Sequence, residues 1–285
     1  MKLFDTTRCV LGEGPLWHPQ RQTLFWFDIL GKRMMARRGA DVQEWQFDEH
    51  VSAAGWLDET RLFLASETAF WDFDLVTGQR QRICALDADN PLTRSNDGRA
   101  DPWGGFWVGT MGHNHERGIA AIHRYFRGEV RQLFDGITVS NAICFSPDRR
   151  FAYFTDTPSR KVMRVALEAA SGWPSEAPEV FADLHTEKYF PDGAVTDAEG
   201  TLWIAIWGSG CVIALAPDGR LVRRIEVPAR QPTCPAFGGP DFRDLYLTSA
   251  RVGLTAEDDR AHPENGATFV LCDAGQGLPE PRVIL

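Results

Sequence analysis

At 285 residues, 44% hydrophobic and 24% charged, the chain can bury a sizeable core and does not have the composition of a disordered protein. Its formal charge of −9 speaks against a protein that holds nucleic acid or an anionic membrane surface. No apolar run is long enough to span a bilayer, and the opening Met1-Lys2-Leu3-Phe4-Asp5 lacks the apolar stretch of a signal peptide. Six cysteines, at 9, 84, 144, 211, 234 and 272, form no Cys-x-x-Cys pair, which disfavours a zinc knuckle or a redox dithiol. Buried thiols in a reducing, cytoplasmic setting are the expectation.

From the N-terminus onward one unit recurs: a short polar turn, then an apolar-aromatic triplet. His18-Pro19-Gln20-Arg21 precedes Leu24-Phe25-Trp26, and Asp58-Glu59-Thr60-Arg61 precedes Leu62-Phe63-Leu64. Asp101-Pro102-Trp103-Gly104-Gly105 precedes Phe106-Trp107-Val108, and Ser146-Pro147-Asp148-Arg149-Arg150 precedes Ala152-Tyr153-Phe154. Asp197-Ala198-Glu199-Gly200 then leads to Leu202-Trp203-Ile204, and Pro240-Asp241-Phe242-Arg243-Asp244 to Leu245-Tyr246-Leu247. The triplet centres at 25, 63, 107, 153, 203 and 246 are separated by 38, 44, 46, 50 and 43 residues. Such a period, built from hairpins with an aromatic on the second strand, predicts an all-β fold: a six-bladed β-propeller of four-stranded antiparallel blades, one domain over 1–285.

The stretch from Glu168 to Pro178, with its Ala, Ser, Gly and Pro, reads as an inserted loop and accounts for the longest interval. Ring closure is expected to draw on both termini: Lys2-Leu3-Phe4 at the start, with Ala267-Thr268-Phe269-Val270-Leu271 and Arg282-Val283-Ile284-Leu285 at the end.

The repeat serves as an internal ruler. Glu13 lies twelve residues before Phe25, Asn96 eleven before Trp107, Asn141 twelve before Tyr153 and Asp192 eleven before Trp203, whereas the other two blades offer Val51-Ser52 and Cys234-Pro235. Equivalent positions stand at one height around the axis, so these four polar side chains are expected to converge at one end of the central channel. An Asp or Asn before a strand is ordinarily a turn residue bonding its own backbone. That account does not favour Glu13, whose neighbours Gly12, Gly14 and Pro15 already supply a bend. Two carboxylates and two carboxamides crowded in a narrow channel call for a cation, and an all-oxygen set suits calcium, magnesium or manganese. His113-Asn114-His115-Glu116 lacks a third nitrogen ligand for zinc and reads better as pocket lining, while Asp28 and Asp156, each three residues after a triplet centre, read as strand-end structural groups.

Gly12-Glu13-Gly14-Pro15-Leu16-Trp17, Asn96-Asp97-Gly98-Arg99, Ser140-Asn141, Pro191-Asp192-Gly193 and Phe237-Gly238-Gly239, in this order and spacing, resemble the gluconolactonase, regucalcin and luciferin-regenerating-enzyme-like family of six-bladed propellers. The resemblance covers nearly the whole chain. It implies metal ligands at Glu13, Asn141 and Asp192, substrate contacts at Arg94 and Asn96, and one divalent ion, with calcium, magnesium, manganese, zinc and iron all open. A further acidic substrate contact of regucalcin-like members falls by ungapped count on Asn114, with His115 beside it, a departure that bears on the choice of substrate. The implied reaction is metal-dependent hydrolysis of a pentono- or hexonolactone to the aldonic acid, with Asp192 as the catalytic proton acceptor and a small sugar lactone as partner. The alternatives are a promiscuous esterase or organophosphate hydrolase on the same scaffold, and a non-catalytic calcium-binding propeller.

Overall fold

The computed structural model describes all 285 residues. Six four-stranded antiparallel sheets stand around a common axis, and the first five each begin at the axis and run outward in chain order. Blades 1 to 5 span 12–46, 51–85, 93–137, 140–183 and 191–226; blade 6 takes three strands from 231–271 and its outermost strand, Lys2–Asp5, from the N-terminus. Lys2 pairs with Val270 and Leu3 with Phe269, so the first strand of the chain closes the ring on the last blade. The sheet edge that an open ring would expose is thereby paired.

The C-terminal segment behaves differently from the expectation. Arg282–Leu285 adds no strand to blade 6. It crosses the end of the ring opposite Glu13, where Val283 N–H donates to Trp56 O and Ile284 N–H to Gly104 O. Two isolated backbone bonds to two different blades are too few to make a ladder, and the preceding Leu278-Pro279-Glu280-Pro281 cannot supply one, because proline lacks the donor.

Burial follows the repeat. The second strands are the driest part of the molecule: Leu24, Phe25, Trp26 and Phe27 are fully buried, as are Phe106, Trp107 and Val108. The outer strands Asp41–Gln46 and Leu221–Glu226 are largely exposed and carry the charged residues. Aromatic rings lock neighbouring blades together: Phe63 against Phe106 at 5.3 Å, Trp107 edge-on to Phe145 at 5.4 Å, and Trp17 stacked on Tyr246 at 5.3 Å across the closure. Contacts of this kind contribute about 0.5–1.5 kcal/mol each beyond area burial.

The 168–178 insertion packs over the turn of blade 3, where Trp103 Nε1 donates to Ala169 O and Trp173 stacks on Arg124. All six cysteines are free thiols, four of them buried. No helix is long and apolar enough to cross a membrane.

Candidate active site

The innermost strands carry the site, and each is irregular at the same level. Pairing with the second strand slips between Glu13 and Leu16, Val51 and Ala53, Ser95 and Gly98, Asn141 and Cys144, Pro191 and Ala194, and Pro232 and Pro235. A bulge re-aims the side chain beside it, here toward the axis. Counted from the residue paired with each triplet centre (Leu16, Arg99, Cys144 and Val195), Glu13, Asn96, Asn141 and Asp192 are all three positions earlier. The difference between eleven and twelve lies in the hairpin that follows, which is one residue longer in blades 1 and 4 than in blades 3 and 5. In blades 1 and 4 the residue after the site side chain is left-handed: Gly14 at φ 53° and Ala142 at φ 57°. A Cβ on Gly14 would also stand 2.2 Å from Ser52 O. The same count puts Ser52 at this level in blade 2 and Thr233 in blade 6, which corrects the Cys234-Pro235 reading.

Asp28 and Asp156 steer the chain into two of these strands. Asp28 accepts from Val10 N–H and Leu11 N–H at 3.1 and 3.0 Å, just ahead of Glu13; Asp156 accepts from Thr138 N–H and Val139 N–H at 3.1 and 2.9 Å, just ahead of Asn141.

Glu13, Asn96, Asn141 and Asp192 are all buried at the axis. Asn96 is pinned: its Nδ2 donates to Ser140 O at 2.9 Å and to Asn141 Oδ1 at 3.0 Å, and its Oδ1 accepts from Arg94 Nη1 at 3.0 Å. Arg94 Nη1 also donates to Ser95 O at 2.8 Å, so the guanidinium is oriented by its own strand while its other nitrogens make no hydrogen bond within the protein. Asn141 Nδ2 donates to Thr157 Oγ1, and that hydroxyl donates to Pro191 O, both at 2.8 Å, tying the site strands of blades 4 and 5 together. Burial pulls the Arg94 pKa down to about 10, with Glu13 and Glu67 acting to hold its proton.

The carboxylates are not so provided for. Burial first, then the charge of Asp97, pushes Glu13 well above the ordinary carboxylate range; the N–H of Gly14 and the more distant Arg94 offset only part of this. Burial, Glu13 and Asp97 push Asp192 up in the same way, with no basic side chain opposing them. Neither carboxylate forms a salt bridge, although the molecule has eighteen between other residues. No three His, Cys, Asp or Glu side chains are grouped so as to hold a metal ion by themselves. A cation at this place would therefore meet two carboxylates and a carboxamide oxygen. That all-oxygen donor set fits a hard divalent ion, and the like charges buried together supply the reason for one.

Three participants escaped the sequence reading. Asp97 is buried at the axis, accepts from Ile143 N–H at 2.7 Å and has its pKa raised by burial to about 6. Thr157 aims Asn141, and Arg99 lies beneath the acidic cluster. Asp97 and Arg99 were visible in the Asn-Asp-Gly-Arg motif, but alternation alone does not tell which residues of a bulged strand face the axis. Asn114 and His115 are exposed on the loop after the second strand of blade 3; Asn114 is bonded to Glu116 rather than to the buried cluster, and His115 is left-handed at φ 59°. A cavity of about 570 Å³ lies at the opposite end of the channel, lined by residues of blades 3, 4 and 5 and the C-terminal tail. It contains none of the converging acidic groups.

The family described as SMP-30/Gluconolactonase/LRE-like region matches residues 11–251. The chain belongs to this family. A putative sugar lactone lactonase of Rhizobium meliloti (strain 1021) is 38% identical over 95% of this chain and 92% of its own length. The 6-deoxy-6-sulfogluconolactonase of Pseudomonas putida is 34% identical over 97% and 98%. Among solved structures, a calcium-binding protein, regucalcin, from Agrobacterium tumefaciens str. C58 superposes with a TM-score of 0.98 at 39% identity, covering 100% of this chain and 97% of that one. Membership in the SMP-30/gluconolactonase/LRE-like family accords with the six-bladed ring and with the motifs on its inner strands.

Proposed function

We propose that the protein hydrolyses a sugar-derived lactone, of the pentono- or hexonolactone class, to the aldonic acid, with a divalent cation held by Glu13, Asn141 and Asp192. The observation that carries this reading is the pair of buried carboxylates bonded to no basic side chain, with an arginine near Glu13 that keeps nitrogens free of the protein. The names of the relatives, two of them sugar lactonases, support the same substrate class.

A bound divalent cation supplies Lewis-acid polarisation of a carbonyl and lowers the pKa of water from its bulk value of about 15.7. The protein does the rest. Arg94, held by Asn96 and Ser95 O, donates to the carbonyl or a hydroxyl of the lactone and steadies negative charge that develops on the carbonyl oxygen. Asn96 holds Arg94 on one side and Asn141 on the other, so substrate clamp and ion site keep a fixed distance. Asp192 accepts the proton of the attacking water. Water adds to the acyl carbon, the acyl–oxygen bond breaks, the ring oxygen leaves as a hydroxyl, and at neutral pH one proton is released per turnover.

That proton is the readout of the test. A panel of sugar lactones and simple esters, followed by pH-stat after metal stripping and reconstitution with several divalent ions, is expected to show lactone turnover that returns only with metal. Undiminished turnover in the stripped protein overturns the reading. Tight calcium binding with no turnover of any lactone favours instead a calcium-binding propeller, the description carried by the regucalcin neighbour.

A further inference from the structure

The ruler that selects Arg94 in blade 3 selects one more polar side chain. Arg94 stands two residues before Asn96 and thirteen before Trp107; His50 stands two before Ser52 and thirteen before Phe63. Blade 2 therefore presents an imidazole at the height where blade 3 presents a guanidinium. The two blades are joined at this level, Ser52 Oγ donating to Ser95 Oγ at 2.8 Å.

His50 is built into the wall rather than left loose on it. Its Nδ1 bonds the carboxylate of Glu67, whose backbone N–H in turn donates to His50 O at 3.0 Å, so both residues are fixed to the same end of the same hairpin. With Nδ1 committed, Nε2 has no partner in the protein. Both side chains remain partly open to solvent, at 17% and 22% exposure. The His113 ring, on the loop that follows the second strand of blade 3, stands 5.6 Å from that of His50. Glu67 lies near enough to Arg94 to favour its charge, as Glu13 does. A chain of neighbours thus runs from Glu13 through Arg94 and Glu67 to His50 and His113.

Resting on the lactonase reading, we propose that His50, oriented by Glu67 and flanked by His113, binds a neutral hydroxyl on the part of the sugar lactone that projects outward from the ring beyond Arg94. A carboxylate that fixes one imidazole nitrogen sets the tautomer and aims the other. The wall is unsuited to an anionic substituent, because the carboxylate of Glu67 stands beside Arg94 and His50 and that of Glu116 near His113. His50 thus acts on the choice of substrate, and the bond-breaking step stays with the groups at the axis.

The test compares metal-loaded wild type, His50→Ala and Glu67→Gln on a polyhydroxylated hexonolactone, an unsubstituted δ-lactone and a lactone whose side chain ends in a carboxylate, with calorimetric binding of D-gluconate measured in parallel. The expected result in His50→Ala is a rise of about three- to tenfold in KM for the polyhydroxylated lactone and in Kd for gluconate, with kcat on that lactone retained. Selectivity for it over the unsubstituted lactone falls by the same factor, and Glu67→Gln gives a smaller change of the same kind. Equal effects on all three lactones, a selective loss on the carboxylate-bearing lactone, or unchanged gluconate binding overturns the proposal. If wild type turns over no lactone, the functional reading fails by itself, and the gluconate Kd of His50→Ala still decides whether His50 binds a hydroxyl.

Discussion

The two ends of the central channel are made by the same six inner strands and treat charge in opposite ways. At one end Glu13 and Asp192 are buried together with no basic side chain bonded to either. At the other, Arg99 is surrounded by acceptors: its Nε donates to Ile143 O at 3.3 Å, its Nη2 to Ala194 O at 3.1 Å and Pro235 O at 3.4 Å, and its Nη1 pairs with Glu280 from the C-terminal tail. One guanidinium thus bonds blades 4, 5 and 6 and the tail, a saturated charge whose role is complete within the protein. An unsaturated buried charge is costly unless a ligand completes it. A cavity of about 570 Å³ opens at the saturated end, away from the unpaired carboxylates.

The largest effect that separates the ends is expected at Asp192. Asp192→Ala should abolish divalent-ion binding and lower kcat/KM by roughly 10⁴-fold while the ring stays folded. Stability should move the other way once metal is removed. Glu13 has a folded-state pKa of about 8 against an ordinary 4.5, and Asp97 about 6 against 3.8, so the folded protein binds more protons than the unfolded chain between these values. Stability of the metal-free protein therefore falls as pH rises from about 4.5 to about 8, by an amount on the order of a few kcal/mol. Removing the Asp192 charge should flatten that fall, and a saturating divalent ion should cancel it in wild type. Thermal melts across this pH range with and without chelator read both, and a metal-free wild type that is most stable at pH 8 contradicts the picture.

At the saturated end the effect should be on stability first. Arg99→Leu strands the Glu280 carboxylate and removes a donor from three carbonyls, which is expected to cost about 3 kcal/mol. Arg99→Leu with Glu280→Leu together should recover much of that loss, since a buried pair replaced by apolar groups is often neutral. Denaturant unfolding of the single and double variants measures the recovery. A double variant no better than the single shows that the bonds to Ile143, Ala194 and Pro235, rather than the ion pair, hold the blades.

Legibility differed between these ends for a physical reason. The blade count and the residues at Glu13, Asn96, Asn141 and Asp192 could be found because each follows a repeated triplet at near-constant spacing, and sixfold repetition turns spacing into height. The one-residue ambiguity between eleven and twelve lay in the length of the hairpin turn, which apolar periodicity does not report. In blade 6 Cys234-Pro235 was read in place of Thr233 because the hairpin there, from Ala236 to Tyr246, is one residue longer again. The opposite end was illegible: Arg99 and Glu280 are 181 positions apart, and nothing in a proline-rich tail says which charge it will cover.

The smallest effect concerns how Arg94 differs from Arg99, two arginines five residues apart on one strand. Arg99 spends every nitrogen on the protein, whereas Arg94 spends only Nη1, on Ser95 O and Asn96 Oδ1. A lysine can reproduce a point charge but not a guanidinium held by one nitrogen while the others face a ligand. Arg94→Lys should therefore leave unfolding free energy within about 0.5 kcal/mol of wild type. It should lower kcat/KM on a sugar lactone by roughly 30-fold, about 2 kcal/mol, through lost orientation of the substrate. Because Asn96 loses its Arg94 partner and yet keeps Ser140 O and Asn141 Oδ1, divalent-ion affinity should change little. Steady-state kinetics beside calorimetric metal titration separates the two quantities. If metal affinity falls in step with kcat/KM, Arg94 is part of the ion site's support and the division between clamp and ion site across blades 3, 1, 4 and 5 does not hold.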